Sequence, residues 1–145
     1  TDSQEQIEMG KKLKQAGIQL SVTVLLGLGG REKSLQHAKN TGELLTNLDP
    51  EYVGALTVML IPGTPLYEKY ETGEFELPNQ EEILLELGEM LKHTELSHGL
   101  FISNHASNYL PVKVQFPGDK QKGLEMIDQA LQGKVGLKPE WMRAL

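Results

Sequence analysis

Leu20–Gly30 reads LSVTVLLGLGG, and the fold follows from how this stretch is taken. From Leu20 to Leu26 the chain is apolar or β-branched, with hydroxyls only at Ser21 and Thr23. A run this short and this apolar predicts a strand covered on both faces, as in a parallel sheet. It stops at Gly27-Leu28-Gly29-Gly30. Glycine reaches positive φ and lets another group approach the backbone closely. A parallel strand feeding a glycine-rich turn and then a helix is where α/β proteins hold ligands. A tight strand-to-helix turn with no ligand is the plain alternative.

Upstream, residues 2–16 read as a helix. Ser3 and Gln6 have capping-box spacing, the acids Asp2, Glu5 and Glu8 precede Lys11, Lys12 and Lys14 as the helix dipole favours, and Gly17 is a stop. Downstream, residues 32–47 read as a second helix, with Leu35, Ala38, Gly42, Leu45 and Leu48 on one face. Asp49-Pro50 is a turn signal. Tyr52–Ile61, YVGALTVMLI, reads as the second buried strand and breaks at Pro62-Gly63-Thr64-Pro65. Helix, strand, helix, strand, with a glycine-containing loop after each strand, is the pattern of a parallel sheet.

Tyr67–Pro78 reads as a surface excursion. Asn79 and Glu82 make a second capping-box pair, and residues 80–96 a third helix with Leu84, Leu87, Leu91 and Thr94 on one face. Leu100–Ser103 fits a third short strand. Asn104–Pro111, NHASNYLP, has no period and is rich in hydrogen-bonding side chains. A helix near 119–132, capped by Asp119, and a short helix after Pro139 holding Trp141, the single tryptophan, complete the reading.

The chain has 145 residues, 39% hydrophobic, enough for one domain with a real core. A net charge of −6 without a basic patch argues against a nucleic-acid partner. No apolar run approaches the roughly 20 residues of a membrane span. The absence of cysteine removes disulfides and thiolate metal sites from this chain. The expected location is cytoplasmic. An α/β chain ordinarily opens with a strand; this one opens at Thr1 with a helix, which suggests a piece cut from a larger protein, or a processed chain.

Few motifs carry chemistry. Gly30 is followed by Arg31 rather than the Lys-Ser/Thr of a phosphate-binding loop, and position 32 is Glu where a dinucleotide fingerprint needs glycine. His37 and His93 read as surface or helix-end residues, and the His93–His98 spacing does not suit a zinc helix. His105 lies in a polar loop beyond a strand, flanked by Asn104, Ser107 and Asn108. Asn104, His105 and Asn108 are therefore candidate substrate contacts.

SVTVLLGLGG, then DPEYVGALTVMLIPGTPLYEKYETGEF, then NHASNYLP resemble the C-terminal half of a radical S-adenosylmethionine (SAM) protein. The group is that of the iron–sulfur oxidoreductases similar to oxygen-independent coproporphyrinogen oxidase. The resemblance spans residues 1 to about 130, and its PGTPLYE block is more specific than GLGG. It implies an α/β fold, the C-terminal part of a partial (β/α) barrel over residues 1–110, with a helical extension over 111–145. It implies that Leu20–Leu26 and Val53–Ile61 are the fifth and sixth strands. In such proteins a [4Fe–4S] cluster on a CxxxCxxC loop binds SAM and cleaves it to a radical that abstracts hydrogen from substrate. That loop belongs to the N-terminal half, which would be this chain's partner. By the resemblance, Gly27, Leu28, Gly29 and Gly30 lie near SAM and Met59, Leu60 and Ile61 approach its adenine. No catalytic residue carries over, so the piece alone should be inactive.

Two rivals follow from the same residues: a complete small α/β domain binding a nucleotide-like ligand, and a non-enzymatic interaction module with an acidic surface. An isolated set of two or three parallel strands leaves an open apolar edge, which predicts dimerisation or element swapping.

Overall fold

The computed structural model describes residues 2–145. Its elements run α1 (Ser3–Gln15), β1 (Ser21–Leu26), α2 (Gly30–Leu48), β2 (Tyr52–Thr57), α3 (Pro65–Glu71), α4 (Gln80–Lys92), β3 (Leu100–Ile102), β4 (Lys113–Gln115) and α5 (Lys120–Leu131), followed by a 3-10 turn at Glu140–Met142. The four strands form one open mixed sheet in the order β1-β2-β3-β4. β1, β2 and β3 are parallel, and β4 runs antiparallel to β3. No helix is long and apolar enough to cross a membrane among the described residues.

Sheet register explains the core. Val22, Val53, Phe101 and Val114 stand side by side across the four strands. Successive residues of a strand point to opposite faces, so this row and its i+2 neighbours Val24, Leu26 and Ala55 face α2, α4 and α5. Phe101 is fully buried there, a burial that stabilises by up to about 3 kcal/mol. The helices supply Ala38, Leu45, Leu87, Met90, Leu91 and Ile127. α2 and α4 meet at backbone distance: a Cβ on Gly42 would lie 2.7 Å from the Met90 carbonyl oxygen. Gly42 thus seats one helix on another.

The opposite face of the sheet is open. Ser21, Thr23 and Leu25 of β1 are exposed, Tyr52 is exposed, and Gly54, Leu56, Leu100 and Ile102 are half-buried. This corrects the expectation that Leu20–Leu26 is covered on both faces. All the helices that pack on the sheet use one side, so β1 alternates between exposed and buried.

Several boundaries also differ from the sequence reading. β2 ends at Thr57, not Ile61. Val58 still donates to the Leu26 carbonyl at 2.9 Å, but β1 ends at Leu26 and offers residues 59–61 nothing further to pair with. The first capping box is Asp2–Glu5, not Ser3–Gln6, because Asp2 holds the extended cap conformation and Ser3 is already helical. Within 67–78, the expected surface excursion begins as α3, with Pro65 in its first turn and the Thr64 hydroxyl accepting from the Tyr67 N–H at 3.3 Å. α4 ends at Lys92 rather than 96, while its Asn79–Glu82 capping box forms as expected. Leu35 is 56% exposed, and Ser34 takes the inward position on α2. Asp119 precedes α5 but makes no side-chain cap bond. β4 was not anticipated. It is three residues long, with only Val114 pointing inward.

Candidate functional site

In a parallel sheet the loops leaving the C-terminal strand ends gather at one rim. Here they are residues 27–30 after β1, 58–64 after β2 and 103–112 after β3. These loops contain every site residue expected from the sequence. Their surroundings separate those built into the fold from those left accessible.

The 27–30 turn is shaped by the protein itself. Gly27 has φ +84°, and a Cβ there would lie 2.9 Å from Val58 Cγ1 and 3.0 Å from Ile83 Cδ1. Gly30 has φ +65°, and its Cβ would meet the Glu76 carbonyl and the Phe75 ring at 3.2 Å. A Cβ on Gly29 would lie 2.9 Å from His37 Cβ. The loop before α4 also covers the first turn of α2, where the Arg31 N–H donates to the Glu76 carbonyl at 3.0 Å. Only Leu28 projects outward, 48% exposed.

Beneath the turn lies a buried acid that the sequence reading passed over. Glu86 is on the inward face of α4 and is wholly buried. One of its oxygens accepts the Gly27 N–H at 2.8 Å, and the other accepts the Ser34 hydroxyl from α2. His37 on α2 donates through Nε2 to the Leu25 carbonyl at 3.0 Å and stands 3.8 Å from the Glu86 oxygen that accepts the Gly27 N–H. Burial pushes the Glu86 carboxyl above the ordinary range; the bonds from Ser34 and Gly27 and the nearby His37 pull against it. At the surface, Arg31 grips Glu82 through Nε at 2.9 Å and Nη2 at 2.7 Å. That hydrogen bond is the main reason the Glu82 carboxyl lies below its usual range. A carboxylate in an apolar stripe, between Ile83 and Leu87–Met90, was the available signal for Glu86.

The second loop is different. Met59 and Leu60 are half-buried, and Ile61 is 42% exposed. Among the described residues the backbone N–H and C=O groups of Met59 and Leu60 make no hydrogen bond, while the Ile61 carbonyl accepts from the Thr64 N–H and hydroxyl. Two consecutive peptides are thus available to a ligand edge.

The third loop contains one closed network and one open group. Asn108 is buried. Its amide donates to the Ala55 carbonyl at 2.7 Å and the Ser103 carbonyl at 2.9 Å, and its oxygen accepts from the Thr57 hydroxyl at 2.8 Å. It ties β2 to the end of β3, with all three hydrogen bonds made to protein groups. Asn104 is exposed. His105 is half-buried, and its Nδ1 accepts from the Ser107 N–H at 3.2 Å and lies 2.9 Å from the Ser107 hydroxyl. That hydroxyl in turn accepts from the Thr57 N–H at 3.1 Å, leaving its proton directed at His105. With Nδ1 accepting, the neutral ring carries its proton on Nε2, which has no partner among the described residues.

The tail clamps this loop. Arg143 is buried. Its Nε donates to the Ser107 carbonyl at 2.7 Å, Nη1 to the Tyr109 hydroxyl at 2.7 Å and to Glu140 at 2.6 Å, and Nη2 to the Val58 carbonyl at 3.3 Å. Burial, then donation of its hydroxyl to Glu140, pushes the Tyr109 pKa up to about 12. No periodicity in the tail marked Arg143 in advance. Among the described residues no group of three His, Cys, Asp or Glu side chains is placed to hold a metal ion. The chain matches no protein-family model, and a comparison with curated proteins finds no match.

Proposed function

We propose that this chain is the C-terminal part of a radical SAM enzyme's (β/α) barrel, and that the open face of its sheet is the inner wall of that barrel. The observation that carries the reading is the one-sided sheet. Helices cover one face; the other has none and carries Leu25, Leu56, Leu100 and Ile102 among polar Ser21, Thr23, Lys113 and Gln115, and three loops converge at its C-terminal rim. Such an arrangement calls for further strands and helices to cover the exposed wall. The motif resemblance supports the same reading.

The cofactors divide between the two halves. This chain has no cysteine, so the ligands of a [4Fe–4S] cluster must come from the N-terminal half. SAM fits the chain in part: the unpaired peptide groups of Met59 and Leu60 can pair with an adenine edge, and Ile61 and Leu28 offer apolar flanks. The cluster and SAM, when bound, supply the hydrogen-abstracting chemistry. The residues of this chain orient the nucleoside end and exclude water, which limits side reactions. The substrate would approach along the inner wall.

The test is the coding sequence upstream of Thr1 together with the activity of its product. A CxxxCxxC loop there, with reductive release of 5′-deoxyadenosine from SAM by the longer protein and none by the 145-residue chain, supports the reading. An unrelated domain upstream, or SAM cleavage by this chain alone, overturns it.

A further inference from the structure

We infer that the inner sheet face carries a small-molecule site whose floor is Gly54, and that His105 supplies it with a fixed hydrogen-bond donor to an uncharged, largely apolar ligand bearing a carbonyl or ring-nitrogen acceptor. The inference deepens the barrel reading and rests on it only for calling that ligand a substrate. A cavity of about 320 Å³ lies over β2 and β3, within the size range of ligand pockets. Its walls are Tyr52, Leu56, Leu100 and Ile102, and its C-terminal end is closed by Asn104 and His105.

Three features define the ligand. The first is the floor. Gly54 sits mid-strand between Thr23 and Ile102, and a Cβ added there would touch nothing within 4 Å. Glycine weakens a strand and often marks a place where something else approaches the backbone. Unlike Gly27, Gly29 and Gly30, this glycine is not required by any neighbouring protein atom. The second is charge. No Asp, Glu, Lys or Arg lines the cavity, and Lys113, beside Ile102 in the register, is exposed at the sheet edge, so a charged ligand would enter without a buried counter-ion. The third is the donor. The Thr57 N–H, the Ser107 hydroxyl and His105 Nδ1 form a chain that fixes the ring and leaves Nε2–H free. A fixed donor beside an apolar floor selects an acceptor at one end of an apolar body. The Ser107 that fixes the ring is itself held by Arg143 through its carbonyl.

The test uses 6-propionyl-2-dimethylaminonaphthalene, which is neutral and planar, has one carbonyl, and shifts its emission to the blue in apolar surroundings. Titrated into the 145-residue chain, it should bind saturably with one site per chain. Gly54→Leu projects into the floor from a Cβ position with no protein atom within 4 Å, and a variant that keeps its circular dichroism and melting profile should lose the saturable binding. His105→Ala should weaken the probe about 5- to 10-fold, the worth of one hydrogen bond, and leave unchanged the binding of 2-dimethylaminonaphthalene, which lacks the carbonyl. Absence of saturable binding by the wild-type chain, or unchanged binding in a folded Gly54→Leu, overturns the site. Equal weakening of both probes by His105→Ala overturns the role of the donor. SAM titrated in parallel reports on the barrel reading separately, since none of these variants touches residues 27–30 or 59–61.

Discussion

Replacing Glu86 should reveal how much of the 27–30 turn depends on one buried carboxylate. In Glu86→Ala the Gly27 N–H loses its only acceptor, at 2.8 Å, inside a closed region, and the Ser34 hydroxyl loses its own. The hydroxyl can turn to a carbonyl of its own helix; the peptide N–H has no such freedom. An unsatisfied buried donor costs about 1–3 kcal/mol, and the lost methylene and the void add about 1 kcal/mol or more. Relief from burying a carboxylate offsets part of this. The expected net loss is about 2–4 kcal/mol, which lowers the melting temperature by roughly 3 °C per kcal/mol in a chain of this size. Glu86→Gln keeps an oxygen for Gly27 and should cost under about 1 kcal/mol at neutral pH. The pH response distinguishes the charge from the contact. Burial raises the folded-state pKa of Glu86 above its ordinary 4.5. Its favourable contribution is therefore complete below the unfolded value and is lost as pH rises through the raised one. Glutamine does not titrate, so wild type should lose ground to Glu86→Gln as pH increases from about 4.5. Urea unfolding followed by circular dichroism from pH 4.5 to 8 measures both effects. A Glu86→Ala protein within about 0.5 kcal/mol of wild type, or a wild-type-to-Gln difference that does not change with pH, would refute the reasoning.

Other perturbations give distinct outcomes. Gly27→Ala meets Val58 and Ile83 and forces an alanine to φ +84°, so its denaturation midpoint should fall by the equivalent of about 1–3 kcal/mol. Arg143→Ala strands the Ser107 carbonyl and removes the tie to Val58; about 2–4 kcal/mol of stability should go, with faster amide exchange across residues 105–109. Glu51 is held below the usual carboxylate range chiefly by the Leu20 N–H, and Glu82 chiefly by Arg31. Their contributions are complete above about 4.5 and vanish as pH falls through the lowered values, so Glu51→Gln and Glu82→Gln should flatten the acid limb of a melting-temperature profile between pH 3 and 6. The free edge of β1 should let the isolated chain self-associate, so that light scattering reads a mass rising toward the dimer with concentration; a constant monomer mass would count against it.

Much of the architecture was legible in the pattern of residues, and the gaps have physical causes. The alternation of helices with Leu20–Leu26 and Tyr52–Ile61 correctly foretold parallel strands, because crossover helices leave both a periodic and a continuous signature. One-sidedness was hidden: leucine and valine look alike whether a face is packed or waiting. Ser21 and Thr23, exposed on alternate positions, were the available hint. β4 was unreadable because a three-residue strand with one inward side chain has no period. The sequence placed His105 and Asn108 in a polar loop, and the structure sets that loop at the C-terminal rim; Asn108, expected as a substrate contact, instead joins β2 to β3. Glu86 and Arg143 act through partners 59 and 36 positions away in sequence, a separation that local reading does not bridge.

The grip of Arg143 on Ser107 and Val58 also has a bearing on biosynthesis. A polypeptide is made from its first residue onward, and the histidine loop emerges well before the arginine that secures it. The rim loop therefore gains this clamp only after residue 143 has emerged and folded back. Until then the scaffold lacks that tie, and a chain ending before Arg143 should stay without it.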